Sequence, residues 1–470
     1  MKTKLSYAAL ATTASVALLA GISGANAQTG PNGVQYCTTT QVNPGHNNCV
    51  MPAASAPGGG SFPGSFLVPG TNTSFAVHGY IQADIEHNFG PHTGDTSFSA
   101  NGVIVEGPGS GATSQAHSLN GGTTMNVKAT RPNIETRTPT GYGELKTYIE
   151  FDFNQTAGSE LGGNNDLLRL RQAYGTLGPW LIGQTYSLFA DLQAYADTAA
   201  GAQDVGMLNT FNVRRPMVRY TWLAGNGVSV AGAIEQPTYA GSAFTTGTNT
   251  AAAPVGSALN GVTAYYNLPR AVAAAQLDQP WGHVKLAVAG GATDIRQNTL
   301  SATGAFAALG PSHQIGDYAV SLSGHLNTWG KDALRGGLTY NYGAADFTSW
   351  NTQGSAVFNS SAGGSFSIEK TMSAYASYEH FFTGQWRANA AAGYMHISGN
   401  PFSVSCGSGA AGVCPQASLV RAALTSELNV IYSPVPQTDF WLEWQHAYRK
   451  MMSGSNGTLN QIDAEFRFYF

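Results

Sequence analysis

Charged side chains between residues 131 and 219 are the groups in this sequence best suited to chemistry. Only 10% of the 470 residues are charged, so their grouping is informative. They include the cations Arg131, Arg137, Lys146, Arg169, Arg171, Arg215 and Arg219 and the acids Glu144, Glu150 and Asp152. If basic groups lie in a row on one wall of a pore, they attract anions and guide them along it. A second interpretation stays open, in which the acids and bases form balanced ion pairs that only stiffen the wall.

The elements that must carry these charges are predicted to be strands. In residues 141–174, apolar side chains such as Leu145 and Phe153 alternate with charged ones such as Lys146 and Glu150. A period of two predicts an antiparallel hairpin with one apolar and one polar face. The polar face holds too many charges for a dry core. It is therefore either the wet side of a soluble sheet or the lumen of a membrane barrel.

The two ends of the chain favour the barrel. Residues 1–27 have the lysines, apolar run and small-residue site of a cleaved secretory signal peptide. Residues 458–470 alternate again, and Phe466, Phe468 and Phe470 share the apolar face. This ending is similar to the signal that bacterial barrel-assembly machinery reads. We therefore predict an all-β, antiparallel transmembrane barrel of about 16 strands in the bacterial outer membrane, surrounded by its lipids.

The predicted chain has three parts. A signal peptide (1–27) precedes an irregular periplasmic extension (28–73), and the barrel follows (74–470). Within the barrel, residues 188–210 interrupt the alternation and carry Asp191, Asp197 and Asp204. We predict that this loop folds into the lumen and narrows it. The alternative is a loop packed on top of the barrel or against a neighbouring subunit.

The four cysteines predict disulfides, because an exported chain enters an oxidising compartment. Cys37, Cys49, Cys406 and Cys414 allow three pairings, and nearest neighbours would close two separate loops. Their spacing does not suit a metal site. The sequence has no nucleophile, zinc or phosphate-loop motif in a suitable context, so we expect no enzyme activity and no cofactor. It also lacks a basic patch for nucleic acid.

Three segments carry a resemblance to a known family. They read TRTPTGYGELKTYIEFDFN, LRLRQAYGTLGPWLIGQTYSLFAD and FNVRRPMVRYTW, and lie between Arg131 and Trp222. This block, roughly a fifth of the chain, resembles the DcaP-like outer-membrane porins. The resemblance implies a sixteen-stranded homotrimer that passes small negatively charged organic solutes such as dicarboxylates. It also implies that arginines line the constriction, and the matching positions are Arg131, Arg137, Arg169, Arg171, Arg215 and Arg219.

The expected function is therefore passive diffusion of small hydrophilic solutes, with a preference for anions. Two alternatives remain. One is a general porin with no preference or a weak preference for cations. The other is a surface barrel whose long Gly/Ser/Thr loops have a structural or adhesive role.

Overall fold

The computed structural model describes residues 59–91, 103, 120–156, 166–199, 214–237, 244–246, 262–265, 268–300, 306–347, 356–359, 365–398, 420–452 and 454–470. These residues form strands, the connections between them and two short 3-10 helices. None of the described helices is long and apolar enough to cross a membrane. Signal cleavage after residue 27 and all four cysteines lie outside the described residues and stay predictions.

Sixteen antiparallel strands close into one barrel, as predicted. In chain order, β1 to β16 are Ser74–Pro91, Arg131–Thr140, Gly143–Thr156, Asp166–Leu177, Trp180–Tyr186, Arg214–Gly225, Val228–Glu235, Arg270–Gln279, Gly282–Leu300, Phe306–Asn327, Ala333–Tyr342, Lys370–Phe381, Trp386–Ser398, Val420–Tyr432, Thr438–Met451 and Asn456–Tyr469. Each strand pairs with its neighbours in sequence, except that the first and last strands pair with each other. The seam runs from Tyr80 opposite Tyr469 to Phe89 opposite Asn460.

Shorter elements accompany the barrel strands. They are the strands Phe66–Leu67, Asn120–Asn126, Phe244–Thr246, Val262–Tyr265, Ala356–Asn359 and Ser365–Ile368, and the 3-10 helices Leu192–Ala194 and Ala345–Phe347. The strand Asn120–Asn126 is separate from β2, because the amide of Thr130 donates to the carbonyl of Val127 (3.1 Å) and closes a turn between them.

The connections differ in length between the two ends of the barrel. At one end, β2–β3, β4–β5, β6–β7 and the later pairs are joined by two to five residues. At the other end, the connections include residues 187–213, 236–269 and 343–369. In outer-membrane barrels short turns face the periplasm and long loops face the outside. The same rule therefore orients this barrel.

Alternation along each strand separates a lumen face from an outer face. On β15, Trp441, Glu443 and Gln445 are buried, whereas Leu442 is 60% exposed and Trp444 38%. Apolar side chains on the outer face suit a lipid surrounding, and charged side chains turn inward. The sequence period of two thus produces both surfaces of the barrel.

Aromatic side chains gather on the outer face near the short-turn end. The rings of Trp386 and Tyr432 stack with centroids 4.4 Å apart, and Phe440 lies 5.5 Å from Phe466. Phe468 and Phe470 are exposed on the same surface. Such rings suit the boundary between lipid and water, where an apolar body is needed beside a polar layer. The predicted outward placement of the terminal phenylalanines is therefore seen in the structure.

Candidate functional site in the barrel lumen

A β-bulge lies at one of the predicted arginines. Between β3 and β4, Glu150 lies opposite Gln172, but the next residue, Phe151, lies opposite Leu170. Arg171 is the extra residue, so both Arg171 and Gln172 are buried on the lumen side. A bulge inserts one residue and changes the direction of the side chains that follow. Strand alternation keeps Arg169 and Arg171 on the same wall, and the bulge adds Gln172 to it.

The neighbouring carboxylates pair directly with these arginines. Arg169 donates to both oxygens of Asp152, at 2.9 and 2.7 Å. Arg171 donates to Glu150 (2.9 Å) and to Asp152 (2.6 Å), and its remaining nitrogen donates to the Tyr186 hydroxyl at 3.2 Å. Two guanidinium groups and two carboxylates therefore form one connected network on β3 and β4. Of the two arginines, Arg169 keeps the larger exposed fraction, 32% of its side chain.

A further cation, Arg214, joins this network and was not among the predicted residues. Its Nη1 donates to the Tyr186 hydroxyl (3.3 Å), and its guanidinium lies 5.2 Å from the centre of the Tyr186 ring. Arg171, Arg131 and Arg169 all lie within range of its charge. We call Arg131, Arg169, Arg171 and Arg214 the arginine cluster. It contains four guanidinium groups, of which Arg169 and Arg171 pair with the carboxylates of Glu150 and Asp152.

The predicted cations nearer the short-turn end form a separate network. Arg137 donates to Glu135 (2.6 Å), and its Nη1 lies 3.7 Å from Glu144. Lys146 contacts the other oxygen of Glu135 at 3.1 Å. All four residues lie on β2 and β3, so two cations here face two carboxylates. The charges of these four groups therefore cancel, and together they give this part of the wall no net positive charge.

Arg215 occupies a different environment from the other predicted arginines. It is fully buried, donates to Asp346 (3.0 Å) and lies 4.3 Å from the centre of the Phe347 ring. Arg270 donates to the same carboxylate at 2.7 and 3.0 Å and also pairs with Asp317. The 3-10 helix Ala345–Phe347 therefore extends from the β11–β12 connection to the wall at β6 and β8. Arg215 anchors this second inward segment. Its neighbour Arg219 is half-buried on the lumen face of β6.

The predicted loop follows the inner wall from β7 onward. The hydroxyl of Ser187 and the amide of Leu188 both donate to Glu235 at 2.7 Å. Lys285 donates to the carbonyl of Ala190 (2.6 Å). Side chains of the barrel wall thus hold Ser187, Leu188 and Ala190, so this part of the loop cannot lie above the barrel. This part of the loop therefore folds into the lumen.

Asp191 is one of the two described acids predicted in this loop, and it anchors the segment. It accepts from Ser323 (2.6 Å) and contacts Nε2 of His283 at 3.1 Å, while Nδ1 of His283 contacts Asp278 at 2.7 Å. Burial raises the pKa of Asp191. The hydrogen bond and charge of His283 and the charge of Lys285 outweigh that effect, so the pKa lies well below its ordinary value. Asp191 therefore stays ionised and attached to β9 and β10.

Asp197 performs the same task farther along the loop. Its carboxylate accepts from Arg387 (3.1 Å), its carbonyl accepts from Asn429 (2.8 Å), and the amide of Ala199 donates to Glu443 (2.9 Å). Before it, the hydroxyl of Tyr375 donates to the carbonyl of Ala194 at 2.6 Å. The described loop thus contacts strands from β7 to β15. Asp204 lies outside the described residues.

Comparison with known proteins assigns the chain to a family. The sequence profile of the porin subfamily matches residues 63–465. This chain belongs to the porin family. Porin Omp2b of Brucella suis is 29% identical over 178 residues, which make up 37% of this chain and 40% of that protein. The match to this relative thus spans less than half of its length.

Two solved porins share the fold. The outer membrane channel DcaP of Acinetobacter baumannii superposes with a TM-score of 0.63 at 18% identity, over 86% of this chain and 99% of DcaP. An anion-selective porin from Comamonas acidovorans gives 0.52 at 10% identity, over 85% and 100%. The predicted resemblance to the DcaP-like porins is thereby confirmed. Family and fold together indicate the bacterial outer membrane.

Several functional residues of this porin's lumen were not predicted from sequence. Arg270 is buried at an inward position of β8, and the period of two along that strand could have identified it. Asp346 and Phe347 follow the end of β11, where no period marks them. The rings of His283 and His325 stack 5.8 Å apart on β9 and β10. Among the described residues, no group of three His, Cys, Asp or Glu side chains is arranged to hold a metal ion.

Proposed function

We propose that this porin is an outer-membrane channel for passive diffusion of small hydrophilic solutes, with a preference for anions. The observation that carries the proposal is the arginine cluster, in which four guanidinium groups lie together and two of them pair with Glu150 and Asp152. Arg214 adds a positive charge to it, because its described hydrogen bond goes to the Tyr186 hydroxyl and the charges of Arg131, Arg169 and Arg171 act on it. A passing anion is attracted to such a wall, and a cation is repelled.

The route for solutes follows from where the loop is attached. The described contacts of residues 187–199 go to strands between β7 and β15, whereas the arginine cluster lies on β2, β4 and β6. We place the solute path between these two surfaces. The loop would set the width of this path, and the arginine cluster would set the charge along it. Selection of this kind requires no chemical step and no cofactor, which agrees with a family and fold known from channels.

Small dicarboxylates are the proposed solutes within the anion class. A guanidinium presents two parallel N–H donors that match the two oxygens of a carboxylate. Arg169 already binds Asp152 in this way and remains partly exposed. A solute carboxylate would bind the exposed part of the Arg169 guanidinium, so it need not displace the buried Asp152. Passage therefore needs only weak, exchangeable binding.

The main alternative is a general porin with weak selectivity. The observation that favours it is the direct pairing of Arg169 and Arg171 with Glu150 and Asp152. If these pairs cancel completely, the wall would stiffen the barrel without selecting solutes. The surface-barrel alternative depends on loops that largely lie outside the described residues.

Zero-current potential in a KCl gradient tests the anion preference. We expect the wild-type channel to favour chloride, and Arg169→Glu combined with Arg171→Glu to move the potential toward potassium. Arg421→Glu makes one such charge reversal at an exposed position of β14 and should have no effect. A wild-type potential on the potassium side would refute the anion preference. Liposome swelling separates a diffusion channel from an adhesive barrel, which would admit no solute.

We also propose that the barrel forms a homotrimer through the outer face of β2 to β4. This face carries Thr136, Thr138, Thr147 and Gly175. The hydroxyls of Thr136 and Thr147 lie 2.6 Å apart. Small and hydroxyl-bearing side chains let another protein wall approach closely. Thr147→Trp should reduce the trimer fraction on unheated gels, and Leu428→Trp on the outer face of β14 should not.

A further inference from the structure

The segment before the first barrel strand folds back against the lumen wall. Phe66–Leu67 pairs with the start of β1, with Phe66 opposite Phe75 and Leu67 opposite Ser74. That edge of β1 is available because pairing with β16 begins only at Tyr80. The hairpin covers an edge that would otherwise expose unpaired backbone groups. It also determines where the preceding residues must go.

Residues 59–65 turn from this hairpin toward the inside of the barrel. The amide of Ser61 donates to the hydroxyl of Ser74 (2.8 Å), and Ser74 is buried on the lumen face. Phe62 and Ser65 are buried, whereas Leu67 of the hairpin is 45% exposed. The segment therefore occupies part of the lumen at the short-turn end. By the orientation given above, this is the periplasmic mouth.

Two glycines permit this tight path. A Cβ at Gly60 would lie 2.1 Å from the Ser65 hydroxyl and 2.6 Å from its backbone. Gly64 has a φ of +71°, and a Cβ there would lie 2.6 Å from the ring of His78. A side chain at either position would force the segment to shift. The shape of residues 59–65 is thus encoded in the sequence.

The Phe62 ring covers one of the predicted selectivity residues. The guanidinium of Arg137 lies 4.5 Å from the ring centre, within the range of a cation–π contact. Its Nε donates to Glu135, and its Nη1 lies 3.7 Å from Glu144. The face and two nitrogens of this guanidinium are therefore already occupied. Only 15% of the side chain is exposed.

We propose that Phe62 is a further specificity-determining residue of the pore. Residues 59–65 narrow the periplasmic mouth, and the Phe62 ring keeps the guanidinium of Arg137 away from passing solutes. Removing the ring widens this mouth and opens one face of the Arg137 guanidinium to the solute path. This inference rests on the proposed channel function, since it assigns a second determinant to the same pore.

Single-channel recording with the full-length protein tests this role. We expect Phe62→Ala to raise conductance and to move the zero-current potential farther toward chloride. Gly60→Val should force residues 59–65 to shift without changing Phe62 or any charge, and it should therefore reproduce both effects. Leu67→Ala changes an outward side chain of the same hairpin and should behave like the wild type. Heat-modifiable mobility on gels confirms that each variant forms a folded barrel.

The link to Arg137 is tested by repeating the change in an Arg137→Gln background. There, Phe62→Ala should still raise conductance but should no longer move the potential. Wild-type behaviour of Phe62→Ala, or a potential shift that persists without Arg137, overturns the inference. A wild-type channel that is closed or prefers potassium would instead refute the proposed function, so the two failures are distinguishable.

Discussion

Arg214 provides the sharpest test of the arginine cluster, because one substitution changes its charge. Two unit charges 4 Å apart interact by about 1 kcal/mol in bulk water, and by about 4 kcal/mol at an effective dielectric constant of 20. The lumen of a channel is wet, so the lower value is appropriate. Arg214→Gln should therefore cost an anion at the cluster about 1 kcal/mol, or roughly a fivefold loss of occupancy. Arg214→Glu should cost about 2 kcal/mol, or roughly thirtyfold.

The assay is the ratio of chloride to potassium permeability, derived from the zero-current potential of reconstituted channels. Arg214→Lys keeps the charge and should keep most of the selectivity, whereas the Gln and Glu variants should lower it in that order. The effect should weaken in concentrated salt, which screens charges over about 3 Å at 1 M. Equal permeability ratios in the wild type and Arg214→Glu would show that the cluster does not face the solute path.

Three further predictions concern anchoring, pH and assembly. Arg270→Met should lower the free energy of unfolding by about 3 kcal/mol in urea titrations, because Asp317 stays buried without its cation. Adding Asp317→Asn should recover part of this loss. If it recovers nothing, this result contradicts the reasoning. Asp191→Asn should increase current noise near neutral pH. The pKa of Asp191 is lower in the folded protein than in the unfolded chain, where it is about 3.9. Its contribution to the stability of the loop is therefore present above that unfolded pKa and is lost as pH falls through the lower folded pKa. The variant and wild type should converge only in strong acid. Deleting Phe470 should slow barrel assembly in pulse-chase experiments, whereas Phe470→Tyr should not, and equal rates for both would argue against a terminal assembly signal.

The barrel itself was predictable from sequence, because side-chain direction in a strand repeats every two residues. The alternation on β3 placed Glu150 and Asp152 on the lumen face without any knowledge of partners. The same reasoning placed Arg169 and Arg171 on one face, although it could not foresee the bulge at Arg171. A bulge is visible only from the opposing strand, as a mismatch in pairing.

The contacts between loops and wall could not be predicted in this way. Whether the arginines between residues 131 and 219 stand free or paired depends on side-chain distances of a few ångströms. Arg214 lies at the end of a strand, where alternation does not predict the direction of its side chain. Asp346 reaches Arg215 across 131 residues of sequence, and no local pattern records such a contact. Phe62 lies in a Gly-rich segment whose composition indicated only irregular structure. Long-range packing decides each of these cases.

The anchors of the inward loop have a consequence for how the protein folds. The carbonyl of Asp197 meets Asn429 across 232 residues, and the amide of Ala199 meets Glu443 across 244 residues. Such contacts cannot form until the later strands are in place, because closing a long stretch of chain must precede the gain from contacts at its ends. We therefore expect the anchored part of this loop to be the last to take shape. A newly closed barrel would pass through a wide, leaky stage before the loop reaches its final strands.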